Sequence, residues 1–477
     1  MIKRTYRAHP LMSVKLMRPF LFVLVLPVIK GVTEYVITGK AVGILTLEAA
    51  AVSLLAVFAA FSRRGFQISV DNGKIVIKNG ILLRREAAIS RQNLSSIGVS
   101  RNVFDLIFGS VSFKINTEAG RASKTDYSFK LYKEDAKELA SLLYGEEKRT
   151  EIRFPAVKTA LQAAATSSAT GGLTVGVPVI NNAGKMLGIA LNRMLFNGIS
   201  RASQRFAGIF PPAVNFVTGL LVAGYAASFM ITFFKMFGFR LKSGEESVET
   251  EFGFFARNRT VFKKSAIRDV CIEQTPVLRL FGMRSARAAV GGYGDKKGEK
   301  ALLVPAARRE RIAERLGELF PFVIEPRQCI RAERSLKTAA RFLWPARVFA
   351  AADIVAVSAL SLIFPAVSRF LVLLGLIFMV LAVYGGSVGL KSFREGGLSL
   401  TDGVYACGSR FLLLRELYCD YGDVGEITLK ETPADRKAGT CKVKITMRSE
   451  GADSVTVKNV SRGQTLEVIN SRYNITE

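Results

Sequence analysis

The sequence predicts an α+β membrane protein in which pairs of transmembrane helices alternate with small antiparallel β domains. Three observations support this fold class. Apolar residues are concentrated in long blocks, a basic β-rich segment follows each pair of blocks, and these segments resemble one another. The chain has 477 residues, enough for two to four ordinary domains. Its apolar fraction of 49% is ordinary, so the clustering of apolar residues decides the class.

Five apolar blocks approach or exceed the roughly 20 residues that an α-helix needs to cross a bilayer. They are residues 16–36, 41–61, 213–237, 348–367 and 370–390. A sixth block, 173–195, is weaker because Asn181, Asn182 and Lys185 interrupt it. The second block follows closely on the first, which favours an uncleaved helix over a signal peptide. We therefore predict six transmembrane helices in three pairs.

The β-rich segments repeat. Gly109 and Gly282 are 173 residues apart, and at this offset the flanking apolar residues fall into register without gaps. A third segment follows at an offset of 330, where Gly439 takes the glycine position. The matched apolar residues are Leu94, Ile97 and Val99 in the first segment, Ile267, Val270 and Ile272 in the second, and Val424, Ile427 and Leu429 in the third. A period of this length indicates a duplicated domain and not a short-unit solenoid.

Within the first segment, local patterns predict strands followed by a helix. Residues 66–77 alternate around an Asn-Gly turn, which is typical of a β-hairpin, and 111–115 alternate again. Residues 133–144 have apolar side chains at helical spacing, as do 309–320 in the second segment and a shorter 464–473 in the third. We predict five to seven antiparallel strands forming a small sandwich or half-barrel, closed at one end by the helix.

These patterns divide the chain into six parts. They are an N-terminal tail with the first helix pair (1–62), a β domain (63–146), the second helix pair (147–237), a second β domain (238–322), a basic segment with the third helix pair (323–390), and a divergent third β domain (391–477).

The positive charge lies beside the spans. Lys and Arg number 67 against 39 Asp and Glu, a net charge of +28. Basic residues are frequent at the ends of the apolar blocks, as at Arg63 and Arg64. Loops that stay inside the cell carry an excess of Lys and Arg of this kind. We therefore expect a multi-pass protein of the cell membrane with cytoplasmic β domains, and no nucleic-acid partner. The basic stretch 192–208, between the spans of the second pair, does not fit this pattern.

The residues that usually carry catalysis are scarce. His9 is the single histidine, and none of the five cysteines forms a Cys-x-x-Cys pair. Residues 291–300 superficially resemble a phosphate loop, but they lack its Gly-Lys-Ser/Thr ending and stand between two predicted strands. We therefore predict no catalytic, metal or cofactor site, and a protein that is not an enzyme.

A few ionisable residues fall inside the spans. Lys30 and Glu34 share one helix face, and Glu48 and Asp353 lie in other spans. Such charges are costly in hydrocarbon and can mark an ion or substrate path, which makes a transporter the alternative function. The favoured interpretation is a Lys30–Glu34 pair reaching toward the outer interface.

Two groups of residues are candidate contacts. A basic group is suited to anionic lipid headgroups, although the favoured interpretation is a solvated cationic surface attracted to the membrane in general: Arg84, Arg85, Lys263, Lys264, Lys296 and Lys297. An apolar group lies in two matched turns and includes Phe104, Phe108, Leu280 and Phe281. Packing into the core of their own domain is the favoured interpretation of these turns, and docking on a sibling domain or on membrane helices is the alternative.

The segment ISRQNLSSIGVSRNVFDLIFGSVSFKINTEAG, residues 89–120, and its second copy at 262–294 resemble the bacterial pleckstrin-homology-like (PH-like) domain. The alternation of span pairs with three such segments resembles the YdbT-like bacterial membrane proteins, a family of unknown function. The resemblance implies a PH-like fold on the cytoplasmic side, and a protein partner such as a smaller single-domain relative. The third copy departs from the pattern, because the charged residues 434–438 replace the apolar turn.

The function that we predict is a non-enzymatic membrane scaffold. It would display three cytoplasmic PH-like domains that bind protein partners or anionic phospholipid at the inner leaflet, in envelope maintenance or stress resistance.

Overall fold

The computed structural model describes residues 4–13, 65–71, 74–79, 85–118, 126–145, 149–174, 212–294, 299–326, 328–401, 403–410, 412–448 and 453–473, with isolated positions between them. Its β structure forms three units that repeat the same order of elements. Each unit has four strands, then three strands, and then a closing helix, with a short turn helix between the fifth and sixth strands. The antiparallel β domains that the sequence predicts are therefore present.

The first unit comprises β1 Arg4–Arg7, β2 Gln67–Asp71, β3 Lys74–Asn79, β4 Arg85–Ser90, β5 Leu94–Arg101, the turn helix α1 Val103–Ile107, β6 Ser110–Thr117, β7 Tyr127–Tyr132 and α2 Lys133–Tyr144. The second comprises β8 Thr150–Arg153, α3 Ala156–Thr166, α4 Pro212–Met236, β9 Arg240–Ser243, β10 Ser247–Phe252, β11 Arg257–Lys263, β12 Ile267–Gln274, the turn helix α5 Pro276–Leu280, β13 Arg284–Val290, β14 Ala301–Ala307 and α6 Arg309–Leu319. The third comprises β15 Ile330–Arg331, α7 Leu336–Ile363, α8 Ser368–Glu395, β16 Gly397–Ser399, β17 Val404–Arg410, β18 Leu413–Cys419, β19 Val424–Lys430, the turn helix α9 Pro433–Lys437, β20 Thr440–Met447, β21 Ser454–Ser461 and α10 Arg462–Tyr473.

The matched glycines have the same backbone conformation in all three units. Gly109, Gly282 and Gly439 follow the turn helices with φ of 67°, 62° and 61°. A residue with a Cβ is strained in this left-handed region, so glycine is the natural choice where the chain leaves the helix for the next strand. The repeat detected from the sequence therefore corresponds to a repeated backbone turn.

The first strand of each unit comes before its predicted span pair. Strand β1 pairs with β2, and β8 pairs with β9, so each pairing joins residues on either side of a predicted span pair. Phe154, directly after β8, is buried against Phe239 with ring centroids 5.7 Å apart. The predicted β domains, which begin at 63, 238 and 391, therefore each omit one strand. These short polar strands lack a long alternating pattern, and their partners lie beyond an apolar block.

The three units share their sheets. The first sheet has the order β1-β2-β3-β4, and the last has β19-β20-β21. Between them lie two seven-stranded sheets, β7-β6-β5-β11-β10-β9-β8 and β14-β13-β12-β18-β17-β16-β15. Three strands of one unit thus continue into four strands of the next. We call the β5–β11 pairing the first seam and the β12–β18 pairing the second seam.

The seams also join the hydrophobic cores. Val261 of β11 packs in the core of the first unit, together with Ile97. Cys271 of β12 packs in the core of the third unit, and Tyr418 of β18 packs in the core of the second. Each core is thus completed by a strand of its neighbour, so the units form one continuous body. Four cysteines, Cys271, Cys407, Cys419 and Cys441, are buried, and Cys329 is partly buried.

Three of the described helices are long and apolar enough to cross a membrane: residues 217–236 within α4, and helices α7 and α8. They coincide with the predicted blocks 213–237, 348–367 and 370–390, although α7 begins earlier and α8 ends later. The other predicted spans, 16–36, 41–61 and 173–195, lie largely outside the described residues. The number of six spans therefore stays a prediction.

The N-terminal tail is part of the first unit. His9, which the sequence places in a basic tail, is buried, and its ring meets Tyr132 edge-on with centroids 4.5 Å apart. The backbone N–H of Leu11 donates to Nδ1 of His9 at 3.2 Å, so this nitrogen serves as an acceptor. Burial lowers the pKa of His9, and the charge of Arg63 acts in the same direction, against a hydrogen bond to the backbone of Phe108.

Acidification is expected to loosen this tail. The pKa of His9 is lower in the folded protein than its unfolded value of about 6.5. The neutral, buried ring therefore contributes its full share to folding stability above that pH, and this contribution is lost as the pH falls through the folded pKa. Between pH 7.5 and 5.5, the thermal midpoint of the wild type should fall further than that of His9→Gln, which has no titrating ring. Equal falls of the thermal midpoint in the two proteins would contradict a lowered pKa of His9 in the folded tail.

Candidate membrane and partner surfaces

The end of α8 is tied to two units by buried charges. Arg284 of β13 donates to Glu395, the last residue of α8, at 2.6 Å, and it also contacts Glu416 of β18. Glu416 is 1% exposed and accepts from Nε of Arg309, at the start of α6, at 3.1 Å. The apolar helix α8, the second unit and the third unit therefore meet in one ionic network. Such a network fixes geometry, because removing one partner leaves the others buried and unpaired.

A second buried network crosses the second seam. Lys300 contacts Asp269 of β12 at 2.6 Å and also Asp453, which precedes β21. Burial raises the pKa of Asp269. Burial also opposes ionisation of Asp453, but Lys300 and Arg415 outweigh it and the pKa of Asp453 is lowered. Lys300 is therefore the cation shared by two carboxylates from different units.

A third network stabilises the four-stranded part of the second unit. Glu249 of β10 is fully buried and accepts from Nε of Arg259 at 2.6 Å, with Lys242 at 3.3 Å and Arg149 also in contact. Burial opposes ionisation of Glu249, yet these cations outweigh it and lower its pKa. Sequence analysis did not select any of these three networks. The available signal was a charged residue among the apolar residues of a strand, such as Asp269 between Ile267 and Val270 or Glu416 before Leu417.

The turn helix α5 lies against the apolar helix α8. Arg279 donates to the carbonyl oxygen of Ser387 at 2.9 Å, and its guanidinium stacks 5.2 Å above the ring of Tyr384. Ser387 lies inside the apolar block 370–390 of α8. The tip of α5 is therefore held beside the C-terminal end of the apolar block. Its side chains Leu280 and Phe281 are 81% and 57% exposed.

The turn between β10 and β11 also contacts an apolar helix, α4. Phe254 N–H donates to the carbonyl oxygen of Phe234 at 3.0 Å, near the end of α4. The rings of Phe255 and Phe234 lie 5.4 Å apart, and Phe254 and Phe255 remain more than half exposed. Aromatic side chains in this position are typical of the membrane–water interface.

The favoured sequence interpretation of the apolar turns, packing in their own core, is wrong for the four selected side chains. Phe104 is 75% exposed and Phe108 is 56% exposed. Leu280 and Phe281, in the matched turn, are exposed as well. Only Leu278 of the second turn is buried. In the third unit, α9 has Arg436 and Lys437 instead, and its Ala434 carbonyl accepts from Arg341 of α7 at 3.1 Å. Two units therefore present apolar tips and one presents a charged tip.

We expect the apolar tips to enter the bilayer interface. A fluorophore attached at Leu106→Cys should report an apolar surrounding in liposomes by a blue-shifted emission maximum, because apolar side chains gain free energy on leaving water. The matched control is Arg436→Cys, the same position in the third unit, which should emit as in water. Equal emission maxima at the two positions would contradict insertion.

Two of the basic candidates lie at a cavity of about 680 Å³ between the first and second units. Lys263, Lys264 and Arg91 line it, together with Glu147 and Glu246. Nζ of Lys263 donates to the carbonyl oxygen of Gln92 at 3.0 Å. The cations exceed the carboxylates by one, so the cavity suits an anionic group of modest size.

The other predicted residues are spread over the chain. Arg85 lies on the outer strand β4, away from the cavity lining. Arg84, Lys296 and Lys297 lie outside the described residues, as do the span residues Lys30, Glu34 and Glu48. Asp353 lies in α7 facing α8, where a Cβ at Gly375 would stand 3.6 Å from its Oδ2. The transporter alternative therefore depends on Asp353 alone within the described part of the chain.

Seven strands in two sheets with a closing helix, repeated beside apolar helices, define a membrane-associated protein built from PH-like units. The profile of the bacterial PH domain family matches residues 14–147 and 195–320, more than half of the chain. The protein therefore belongs to the bacterial PH domain family. No curated protein and no solved structure matches it.

Proposed function

We propose that the protein is a non-enzymatic membrane scaffold. Its three PH-like units would form one continuous arm at the inner leaflet and offer surfaces to protein partners and anionic phospholipid. The observation that carries this proposal is the continuity of the sheets through both seams. A signalling or catalytic module that works by domain motion gains nothing from such rigid joints, whereas a scaffold needs fixed spacing between its binding surfaces.

The membrane contacts support the same function. Network residues Arg284 and Glu395 hold the end of α8, and Arg279 holds α5 against α8. The arm is thereby tied to its spans along its length and not only through the chain connections. With the basic residues beside the spans, this favours a multi-pass protein of the bacterial cell membrane whose units lie on the cytoplasmic side.

A protein partner is part of the proposal. The YdbT-like resemblance suggests a smaller single-domain relative, and a role in envelope maintenance or stress resistance.

Anionic lipid is expected at the cavity between the first two units. Lys263→Glu with Lys264→Glu should reduce the number of phosphatidylglycerol molecules that the detergent-released protein retains, because a headgroup phosphate would meet two carboxylates instead of two ammonium groups. Native mass spectrometry counts the retained lipids. The matched control, Lys133→Glu with Lys137→Glu, changes the charge equally on the exposed face of α2.

Equal lipid retention in the two double variants would remove lipid from the proposed function. Loss of lipid only in the cavity variant would support a specific headgroup site over a general cationic surface.

A further inference from the structure

The arm ends in two strand edges that have no partner among the described strands. Strand β4 is the last strand of the first sheet, and β19 is the first strand of the last sheet. By position in the repeat, β4 corresponds to β11 and β18, and β19 corresponds to β5 and β12. Both corresponding pairs form seams. The two ends therefore present the two halves of a seam.

The two seams have the same register. The matched glycines are 173 residues apart between the first and second units and 157 apart between the second and third. Adding 173 to each residue number of β5 and 157 to each residue number of β11 turns every residue pair of the first seam into a residue pair of the second. The pair Val261–Ile97, for example, becomes Tyr418–Val270. The same rule applied to the free edges places Ala88 of β4 opposite Ile427 of β19.

The free edges are more exposed than their counterparts in the seams. Ile97 and Val270 are both 0% exposed, whereas Ile427 at the same position is only partly buried. Across the seam, Val261 and Tyr418 are buried, whereas Ala88 is exposed. The seam position is thus uncovered only where the chain has no further unit to supply a strand.

We propose that β19 of one molecule pairs with β4 of a second copy, in the register of the seams. The chain carries both edges, and it already forms this pairing twice within itself. The contact is heterologous, because different surfaces of the two copies meet, so it builds a ring or a row of arms. It rests on the proposed scaffold function, which it extends from one arm to an assembly.

The helices repeat together with the strands. By position in the repeat, α4, which leads into β9, corresponds to α8, which leads into β16. The register sets Lys430 opposite Arg85, and the first seam already contains a like-charged pair at this end, Arg257 opposite Arg101.

Cross-linking in native membranes tests the register. Two differently tagged copies of the full chain are co-expressed, one with Ala88→Cys and the other with Ile427→Cys. Residues directly opposite in an antiparallel pair have Cβ atoms about 4.5–5.5 Å apart, within reach of oxidation or a short bis-maleimide. We expect a product with both tags at twice 52.1 kDa, at least tenfold above the control. The control replaces Ile427→Cys by Thr428→Cys, whose side chain points to the other face.

A yield no higher than in the control, with both cysteines open to maleimide, would overturn the proposal. Linkage of Ile427→Cys to a different protein would overturn it as well and assign the edge to that partner. A second measurement uses Ile427→Lys, which should shift the purified protein toward the 52.1 kDa monomer in mass photometry. A wild type that is already monomeric in nanodiscs but still retains anionic lipid would refute the assembly and leave the scaffold function standing.

Discussion

Replacement of Lys300 by alanine is expected to destabilise the protein by about 3–5 kcal/mol. Asp269 is fully buried and lies 2.6 Å from the Lys300 ammonium, so the variant leaves a carboxyl in the second seam without its cation. Asp453, the other carboxylate of this network, keeps Arg415 at 3.3 Å. The loss therefore falls mainly on Asp269, and it should appear as a lower midpoint when urea unfolding of the solubilised protein is followed by pulse proteolysis.

The control for this experiment is an exposed ion pair of similar length. Lys78 and Glu86 lie 2.6 Å apart, and both side chains are about half exposed. Lys78→Ala should change stability by less than about 1 kcal/mol. Adding Asp269→Leu to a Lys300→Met variant should recover most of the loss, because the buried charge is then absent. If Lys300→Ala is no less stable than Lys78→Ala, the network does not hold the seam.

Replacement of Phe154 by alanine is expected to cost about 3–5 kcal/mol. The ring is buried in the core of the second unit, against Phe239, and the guanidinium of Arg315 lies 5.9 Å above it. Its removal leaves a cavity where the segment before the span pair joins the unit. The same urea and proteolysis measurement applies.

The matched control is Val157→Ala, three residues further along the same segment, where the side chain is 69% exposed. Its effect should stay within about 0.5 kcal/mol. If both variants unfold at the same urea concentration, β8 and the residue after it are not an integral part of the second unit.

The repeat and the apolar spans were predictable because each leaves a periodic trace in the sequence. Gly109, Gly282 and Gly439 stand at matched positions since the backbone after each turn helix needs a positive φ. The described apolar helices α4, α7 and α8 follow from long apolar blocks. The glycine turns depend on local backbone conformation and the apolar helices depend on their surroundings. Both requirements select residue types that are visible in a single sequence.

The seams were not predictable from such patterns. A strand such as β12 alternates in the same way whether its outer edge meets water or the next unit, because the backbone groups that pair are the same in every residue. The informative residues were buried charges within strands, Asp269 and Glu416. The role of these carboxylates in the seam depends on ion-pair partners more than 30 residues away in sequence, Lys300 and Arg309.

The exposure of the apolar turn-helix side chains was not predictable for a different reason. The sequence shows that Phe104 and Leu280 are apolar, and apolar side chains usually pack inward. An apolar helix beside the unit changes that expectation, because a turn next to such a helix can keep its apolar side chains outside its own core. The hydrogen bond from Arg279 to Ser387 of α8 shows that the turn helix α5 lies beside one.

The first seam has a consequence for biosynthesis. Strand β5 ends at Arg101 and its partner β11 begins at Arg257, so the ribosome must make the whole second helix pair before the first core is closed. At the usual rates of translation, this interval lasts on the order of 10–30 s. During it, Ile97 lies on an open strand edge of the nascent chain. Strand β11 follows α4 in the chain, so the first unit can close only after this apolar helix has been made.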